Sequence, residues 1–348
     1  MVLLKLYKNL KCFGFIAALI FVPGLLSFFG DETLWIRVAF YSALFFIAFR
    51  LLLPKFADYT ATLFCVFCMI YFLRYQSAIA PDFGGRLEIG IIAAASISAI
   101  SYYLRLLAPD GSAAAFLLGA VVFGLGGWGW AIPLILFFIL SSLLSKIAEK
   151  RRPQFGLIFE KSSRRDKWQV AANGGLAGIV VIINFFYPSV HFYPAYLGIL
   201  AAVTADTWST EIGVLFKKRP RLITNFRQVP HGTSGGVTLP GICGGILGAL
   251  LIGTIGYFSG PAHLHPYLHP LIITAAGMIG NFIDSLIGAR FQVQYRCLIC
   301  GKVTEKMRHC QNSETEFVSG IPWMNNDHVN LFCAMSGGIA AYLFSCII

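Results

Sequence analysis

Four short stretches of this chain gather groups capable of chemistry within a sequence that is otherwise mostly hydrocarbon. The first, Ala205-Asp206-Thr207-Trp208-Ser209-Thr210-Glu211-Ile212-Gly213, closes a long apolar run with two carboxylates and three hydroxyls. If that run is helical, Asp206 shares a face with Thr210, and Thr207 with Glu211, because residues four apart are neighbours. A carboxylate within a membrane helix costs about 2.5–3.5 kcal/mol on insertion scales, which makes it a functional candidate by default. The structural alternative is that Asp206 pairs with a loop arginine to fix the fold.

The second stretch, Pro230-His231-Gly232-Thr233-Ser234-Gly235-Gly236, is a Gly- and hydroxyl-rich turn leading into another apolar run. Such a turn presents backbone N–H groups at a positive helix end, which suits phosphate. It lacks the Gly-Lys-Ser/Thr ending of a Walker sequence. Its structural alternative is a helix entry built for close packing, and Gly241, Gly244, Gly245 and Gly248 beyond it have small-residue packing spacing. The third and fourth stretches are Asn281-Phe282-Ile283-Asp284-Ser285 and Asn325-Asn326-Asp327-His328-Val329-Asn330. Gly277, Gly280, Asp284 and Gly288 fall on roughly one helical face, where another backbone can approach closely. Asn326 and Asn330 face together beside Asp327, which an acidic N-cap would also explain.

Carboxylates and amides of this kind can hold Mg²⁺, for which Asp206, Asp284 and Asp327 are the candidate ligands. Glu211 either joins the metal or holds the Gly-rich turn. Arg221, Lys146 and the N–H and hydroxyl groups of Gly232, Thr233, Ser234 and Gly235 would take phosphates. Thr207, Asn173, Asn281, Asn326 and Asn330 would orient them.

The nine cysteines divide into scattered positions and one group, Cys297-x-x-Cys300 followed by His309-Cys310. On a cytoplasmic loop a disulfide is disfavoured, and the alternative is a structural Zn²⁺ site. Adjacent His309 and Cys310 are awkward to use as ligands at once.

The elements that must position these groups follow from composition. Of 348 residues, 57% are hydrophobic and only 12% charged, with a mean hydropathy of +0.71. A soluble domain has roughly 45–50% apolar and 25% charged residues. This composition excludes a water-soluble fold and predicts an all-α, polytopic integral membrane protein, lodged in the inner membrane if the source is a bacterium. Apolar runs of spanning length are expected near Cys12 to Gly30, Leu34 to Leu53, Ala57 to Leu73, Glu88 to Leu107, Ser112 to Gly127, Trp128 to Lys146, Trp168 to Tyr187, Tyr193 to Phe216, Gly236 to Phe258, Leu268 to Phe291 and Asp327 to Ile347. That is about eleven transmembrane helices.

The net charge of +11 is concentrated in three connections, Lys146 to Lys167, Lys217 to Arg227 and Arg290 to Arg308, which fall on one side when spans alternate. Pro188 to Phe192 and Ser259 to Tyr267, on the other side, carry no Lys or Arg. The positive-inside rule then predicts cytoplasmic basic loops, a cytoplasmic N-terminus and all four chemical stretches at the cytoplasmic surface. The bilayer accounts for the charge asymmetry, and no nucleic-acid partner is needed. Lys5, Lys8 and Lys11 before the first apolar run resemble a secretory signal, but no small-residue cleavage site follows Gly30, so a retained helix is expected. Residues 1–108 are apolar and aromatic and read as accessory helices. Residues 109–348 read as a functional core with cytoplasmic loops 148–167, 217–235 and 292–326.

At these residues the chain resembles the transmembrane protein 19 family, domain of unknown function 92. The resemblance runs from about Pro109 to the C-terminus. It is carried by Lys167 to Gly174, Ala205 to Gly213, Pro220-Arg221-Leu222-Ile223-Thr224, Val229 to Thr238, Ile283 to Ala289 and Trp323 to Asn330. The Cys297 to Cys310 segment is absent from some members. The family includes a plant phytyl-phosphate kinase that makes an isoprenoid diphosphate from the monophosphate with CTP as donor. The stretch from Asp206 and the Gly-rich turn also resemble the dolichol kinase, phytol kinase and cytidylyltransferase membrane enzymes.

The resemblance therefore implies a CTP-dependent phytyl or polyprenyl monophosphate kinase, with a nucleoside triphosphate and an isoprenoid phosphate as substrates and Mg²⁺ as cofactor. A phosphate acceptor is already ionised, so the chemistry asks for positioning and charge neutralisation. Two other classes stay open: a transporter or flippase of a lipid phosphate or small anion, and a structural membrane protein whose motifs are caps and packing.

Overall fold

The computed structural model describes residues 83–151, 164–216, 218–310 and 313–348. The expected spans at Cys12 to Gly30, Leu34 to Leu53 and Ala57 to Leu73 lie outside them. The chain divides into two compact units, 1–125 and 126–348. The first contains α1 (Phe83–Tyr103) and most of α2 (Pro109–Gly126). These pack through small residues, with Gly90 against Phe123 and Gly119 against Ala94.

The second unit is a bundle of six helices: α3 (Trp128–Arg151), α4 (Lys167–Phe186), α5 (Phe192–Leu215), α6 (Leu239–Ser259), α7 (Pro270–Arg290) and α8 (Asn326–Ile347). Among the described residues α2, α3, α4, α6, α7 and α8 are long and apolar enough to cross a membrane. Their outward faces carry exposed Ile139, Leu143, Ile179, Leu247, Phe258 and Leu343, as a lipid-facing surface should.

Helix α5 is different. Every residue from Tyr193 to Ala205 is buried, so its neighbours shield it from lipid and its second half can carry Asp206, Thr207, Ser209, Thr210 and Glu211. Small residues make that enclosure possible. A Cβ on Gly198 would collide with the Gly337 carbonyl and Ala341, one on Gly280 with Ala202, and one on Gly277 with Ala201. Gly241, Gly244, Gly245 and Gly248 press α6 onto Ser209, Trp208, Ala205 and Thr204 of α5, the close packing their spacing implies.

The fold is mostly helical, but the expectation of an all-α protein needs correction. The 292–326 segment folds into an antiparallel sheet in the order β4-β3-β6-β5, from β3 (Gln294–Cys297), β4 (Val303–Thr304), β5 (Arg308–His309) and β6 (Ser313–Ser319). Tyr295 and Phe317 pair across β3 and β6, the aromatic cross-strand contact that favours a sheet. A second, two-stranded ribbon joins β1 (Arg221–Leu222) to β2 (Gly236–Val237).

Candidate functional site

Because the bundle helices alternate in direction, one end collects the C-termini of α3, α5 and α7 and the N-termini of α4, α6 and α8. A cavity of about 290 Å³ opens there. Into it project Asp206, Thr207, Ser209, Thr210 and Glu211 of α5, Asn281 and Asp284 of α7, and Asn326 and Asn330 of α8. The whole Gly-rich turn from His231 to Gly236 forms one wall. Stretches separated by more than a hundred residues in the chain thus share one chamber.

On its wall the carboxyl groups of Asp206 and Asp284 lie within hydrogen-bonding range of each other. Atom Oδ2 of Asp284 is shut off from solvent and has no hydrogen-bond partner among the described residues. Two carboxylates at that range repel unless a proton or a cation lies between them. The hard oxygen donors of Asp206 and Asp284 suit Mg²⁺. Asn281 stands beside the pair, its Nδ2 donating to Ser209 Oγ at 2.8 Å. Gly245 leaves the room for that bridge, since a Cβ there would strike the Ser209 hydroxyl.

Asn173 reaches the cavity through an irregularity. Helix α4 opens with a capping box in which Asp166 accepts from the Gln169 N–H at 2.9 Å and the Gln169 side chain accepts from the Asp166 N–H at 3.1 Å. One turn later Ala171–Gly175 widen into a π-turn, a feature that recurs at functional sites. Both Gln169 and Asn173 line the chamber.

The Gly-rich turn is held from outside. Ile223 donates its N–H to the Gly235 carbonyl at 3.0 Å, and Val229 donates to Pro220 at 3.0 Å. Gly232 and Gly235 have φ of 82° and 75°, a left-handed conformation that glycine tolerates best. Within the turn the Thr233 N–H and hydroxyl both donate to the Pro230 carbonyl, at 3.3 and 2.8 Å. The Thr233 groups expected to meet phosphate therefore shape the turn itself. The Ser234 hydroxyl donates to Gln292 Oε1 at 2.5 Å, and Gln292 Nε2 donates to Glu305 Oε1 at 2.8 Å.

The cations differ from expectation. Neither Lys146 nor Arg221 lines the cavity. Arg221 is exposed and donates from Nη1 to the Phe226 carbonyl at 2.9 Å, bracing its own loop. Arg165 lines the chamber instead. It is only 7% exposed, with its guanidinium 5.4 and 5.9 Å from the ring centroids of Phe137 and Phe138. Burial brings its pKa down to about 10, with Glu211 opposing the change. Glu211 in turn hydrogen-bonds to Ser145 and is attracted by Arg165. The attraction to a loop arginine considered for Asp206 is felt by Glu211.

Asp327 also differs. Asn325 caps α8, accepting from the His328 N–H at 3.2 Å. Asp327 sits in the first turn, with Oδ1 screened from solvent, and does not line the cavity although Asn326 does. Sequence reasoning missed Arg165, Gln292 and Glu305 as site residues.

Outside the cavity, ligand atoms of Cys297, Cys300, His309 and Cys310 lie within 4.8 Å of one another on the sheet. Neighbours on a strand point to opposite faces, which makes adjacent His309 and Cys310 awkward ligands for one ion. Cys310 has φ of 23°, and this kink leaves its Sγ 3.2 Å from His309 Nδ1. The Cys297 thiol is lowered to about 6, chiefly by the Cys300 backbone N–H, and the Cys310 thiol is raised to about 11, chiefly by its contact with Cys300.

Residues 92–338 match the family described as integral membrane protein DUF92. Protein PGR of Arabidopsis thaliana is 29% identical over 273 residues, covering 72% of this chain and 92% of that protein. An uncharacterized membrane protein of Methanocaldococcus jannaschii is 32% identical over 270 residues, covering 75% of this chain and 95% of its own length. The chloroplastic protein VTE6 of Arabidopsis thaliana is 25% identical over 242 residues, covering 68% and 65%. No solved structure matches the chain. The chain belongs to the DUF92 family of integral membrane proteins.

Proposed function

We propose that this protein is a membrane-embedded phosphotransferase that moves the γ-phosphoryl group of a nucleoside triphosphate, CTP by the family resemblance, onto a phytyl or polyprenyl monophosphate. The observation that carries the reading is the Asp206–Asp284 pair, two carboxyl groups held together in a polar chamber at the end of an apolar bundle. Mg²⁺ held by Asp206 and Asp284 would neutralise phosphate charge in the way phosphoryl transfer requires.

The chain's own groups have separable parts in such a reaction. Arg165 supplies a buried cation facing the chamber, attracted by Glu211, which in turn hydrogen-bonds to Ser145. Ser234 and the Gly-rich turn bound the phosphate side, while Asn173, Asn326 and Asn330 orient oxygens from the opposite helices. Val214, Ile242 and Phe282 give the chamber an apolar wall suited to a lipid tail. An oxygen of the acceptor monophosphate attacks the γ-phosphorus, the bond from that phosphorus to the β–γ bridging oxygen breaks, and the nucleoside diphosphate leaves. No strong general base is required, because the acceptor oxygen is already ionised.

The topology belongs to the same proposal. The connections on the chamber side carry the Lys and Arg clusters, and Pro188 to Phe192 and Ser259 to Tyr267 carry none. This supports a cytoplasmic chamber, and about eleven spans then put the N-terminus on that side too. Transport would need a polar path through the midplane, where α5 is buried and apolar from Leu197 to Val203.

The test is incubation of detergent-purified protein with Mg²⁺, labelled CTP or ATP, and phytyl, geranylgeranyl or undecaprenyl monophosphate. Labelled lipid diphosphate that disappears in Asp206→Asn is the expected result. Folded protein that yields none with any donor and acceptor overturns the reading in favour of transport.

A further inference from the structure

The sheet between α7 and α8 carries a cluster of metal-ligating side chains that phosphoryl transfer does not use. Cys297 ends β3, and the chain turns back at once. Gly301 donates its N–H to the Cys297 carbonyl at 2.9 Å, and Cys297 donates to Lys302 at 3.0 Å. Gly301 has φ of 68°, so a residue with a side chain would be strained at the point where the turn must close. That turn brings Cys300 beside Cys297. Six residues beyond β4's first residue the chain returns through β5 with His309, whose Nδ1 is 3.5 Å from Cys300 Sγ and 3.2 Å from Cys310 Sγ. The left-handed φ of Cys310 is a local cost that persists only where surrounding contacts determine it.

The three thiols are unbridged. A tetrahedral zinc ion with bonds of about 2.0–2.3 Å keeps its ligand atoms roughly 3.3–3.8 Å apart. Contacts of 3.2 and 3.5 Å, within a group spanning no more than 4.8 Å, are close to that shape. Three thiolates and an imidazole select a soft tetrahedral ion over Mg²⁺ or Ca²⁺.

We propose that Cys297, Cys300, His309 and Cys310 bind one zinc ion, and that this ion closes the 301–309 loop so that Glu305 is held in the chamber. Glu305 lies between the two halves of the ligand set, and it lines the cavity while accepting from Gln292 Nε2 at 2.8 Å. Gln292 also accepts from Ser234 of the Gly-rich turn. The loop is tied to β6 by Thr315, which donates its N–H to Met307 at 3.1 Å and its hydroxyl to Lys306 at 2.9 Å. Both ends of the loop would be anchored to the metal, and its middle reaches the wall of the phosphate turn. The site stands whether or not the chamber transfers phosphate.

The experiment is elemental analysis of the full-length chain purified in detergent without chelator, joined to hydrogen exchange. One zinc per chain is expected, with loss of zinc in Cys300→Ser and in Cys310→Ser and its retention in His309→Cys, which restores a fourth ligand. Reduced protein stripped of metal should take up Co²⁺ and gain the thiolate-to-cobalt absorption of a tetrahedral site. Stripping should also cost amide protection in 301–309 and in the turn 231–236, which zinc restores. Folded wild-type protein that holds neither zinc nor cobalt overturns the metal site, as does a disulfide found among the three thiols. Stoichiometric zinc whose removal leaves exchange in both segments unchanged overturns the link to Glu305.

Discussion

The two ends of the bundle are built from the same helices by opposite rules. At one end Tyr193 and Tyr196 of α5 close on Trp130 of α3, with ring centroids 4.8 Å apart in both pairs. Both phenol hydroxyls donate to backbone carbonyls, Tyr193 to Gly129 at 2.8 Å and Tyr196 to Trp130. There the polar atoms are matched and the packing is closed. At the other end the same helix presents Asp206 to Asp284 and shares a chamber with the Gly-rich turn. The first end is closed by packing, and the second is left as a polar chamber. The difference locates the carboxyl groups whose charge Mg²⁺ would neutralise in the proposed reaction.

That contrast can be broken or sharpened by substitution, and the largest effect is expected at Arg165. Arg165→Ala removes a buried cation that attracts half-buried Glu211 and lies over Phe137 and Phe138, a loss toward the lower end of the about 3–5 kcal/mol for a broken buried pair, read as a fall in detergent thermal stability. Adding Glu211→Gln should recover most of that stability while leaving turnover low. Recovery of both would remove Arg165 from the site.

Next come the carboxylates. Asp206→Asn or Asp284→Asn should lower phosphoryl transfer by about 10²–10³-fold, the scale of losing one electrostatic stabiliser. In Mg²⁺-free protein the same variants should be no less stable than the parent, because a like-charge contact is relieved. Clear destabilisation there would mean the pair is structural.

At the packed interface of α5 and α8, Gly198→Ala should cost about 1–3 kcal/mol through overpacking, since its Cβ would meet the Gly337 carbonyl. The smallest effect is expected at the closed end. Tyr193→Phe should cost about 0.5–1.5 kcal/mol for its hydrogen bond without changing turnover, and altered turnover would show that the two ends are coupled.

Much of the chamber was legible because a polar residue stands out within an apolar run. Asp206, Asp284, Asn281 and the Gly-rich turn could be found that way, and alternation of the basic loops brought them to one surface. Arg165 could not. It lies among Lys161, Arg164 and Lys167, and nothing in a charged stretch marks which cation folds inward onto Phe137 and Phe138. Glu305 and Gln292 were hidden for a related reason. The ligand spacing of their segment does not fix their position, which depends on the pairing of β3 with β4 and β6. Arg221 drew attention by standing next to a motif, yet its guanidinium serves the Phe226 carbonyl of the same loop.

The π-turn in α4 has one further consequence, concerning angular phase. An α-helix advances about 100° per residue, so a single extra residue in one turn offsets the two flanking segments by roughly that angle. In α4 the offset lets Gln169 and Asn173 look into the chamber while Ile179, Ile182 and Ile183, 51%, 38% and 40% exposed, look out to the acyl chains. Removing one residue from Ala171–Gly175 would restore a uniform pitch and force one segment to turn. Either Asn173 would leave the chamber or the isoleucine face would leave the lipid. The irregular turn therefore acts as a rotary joint that lets one helix serve two solvents.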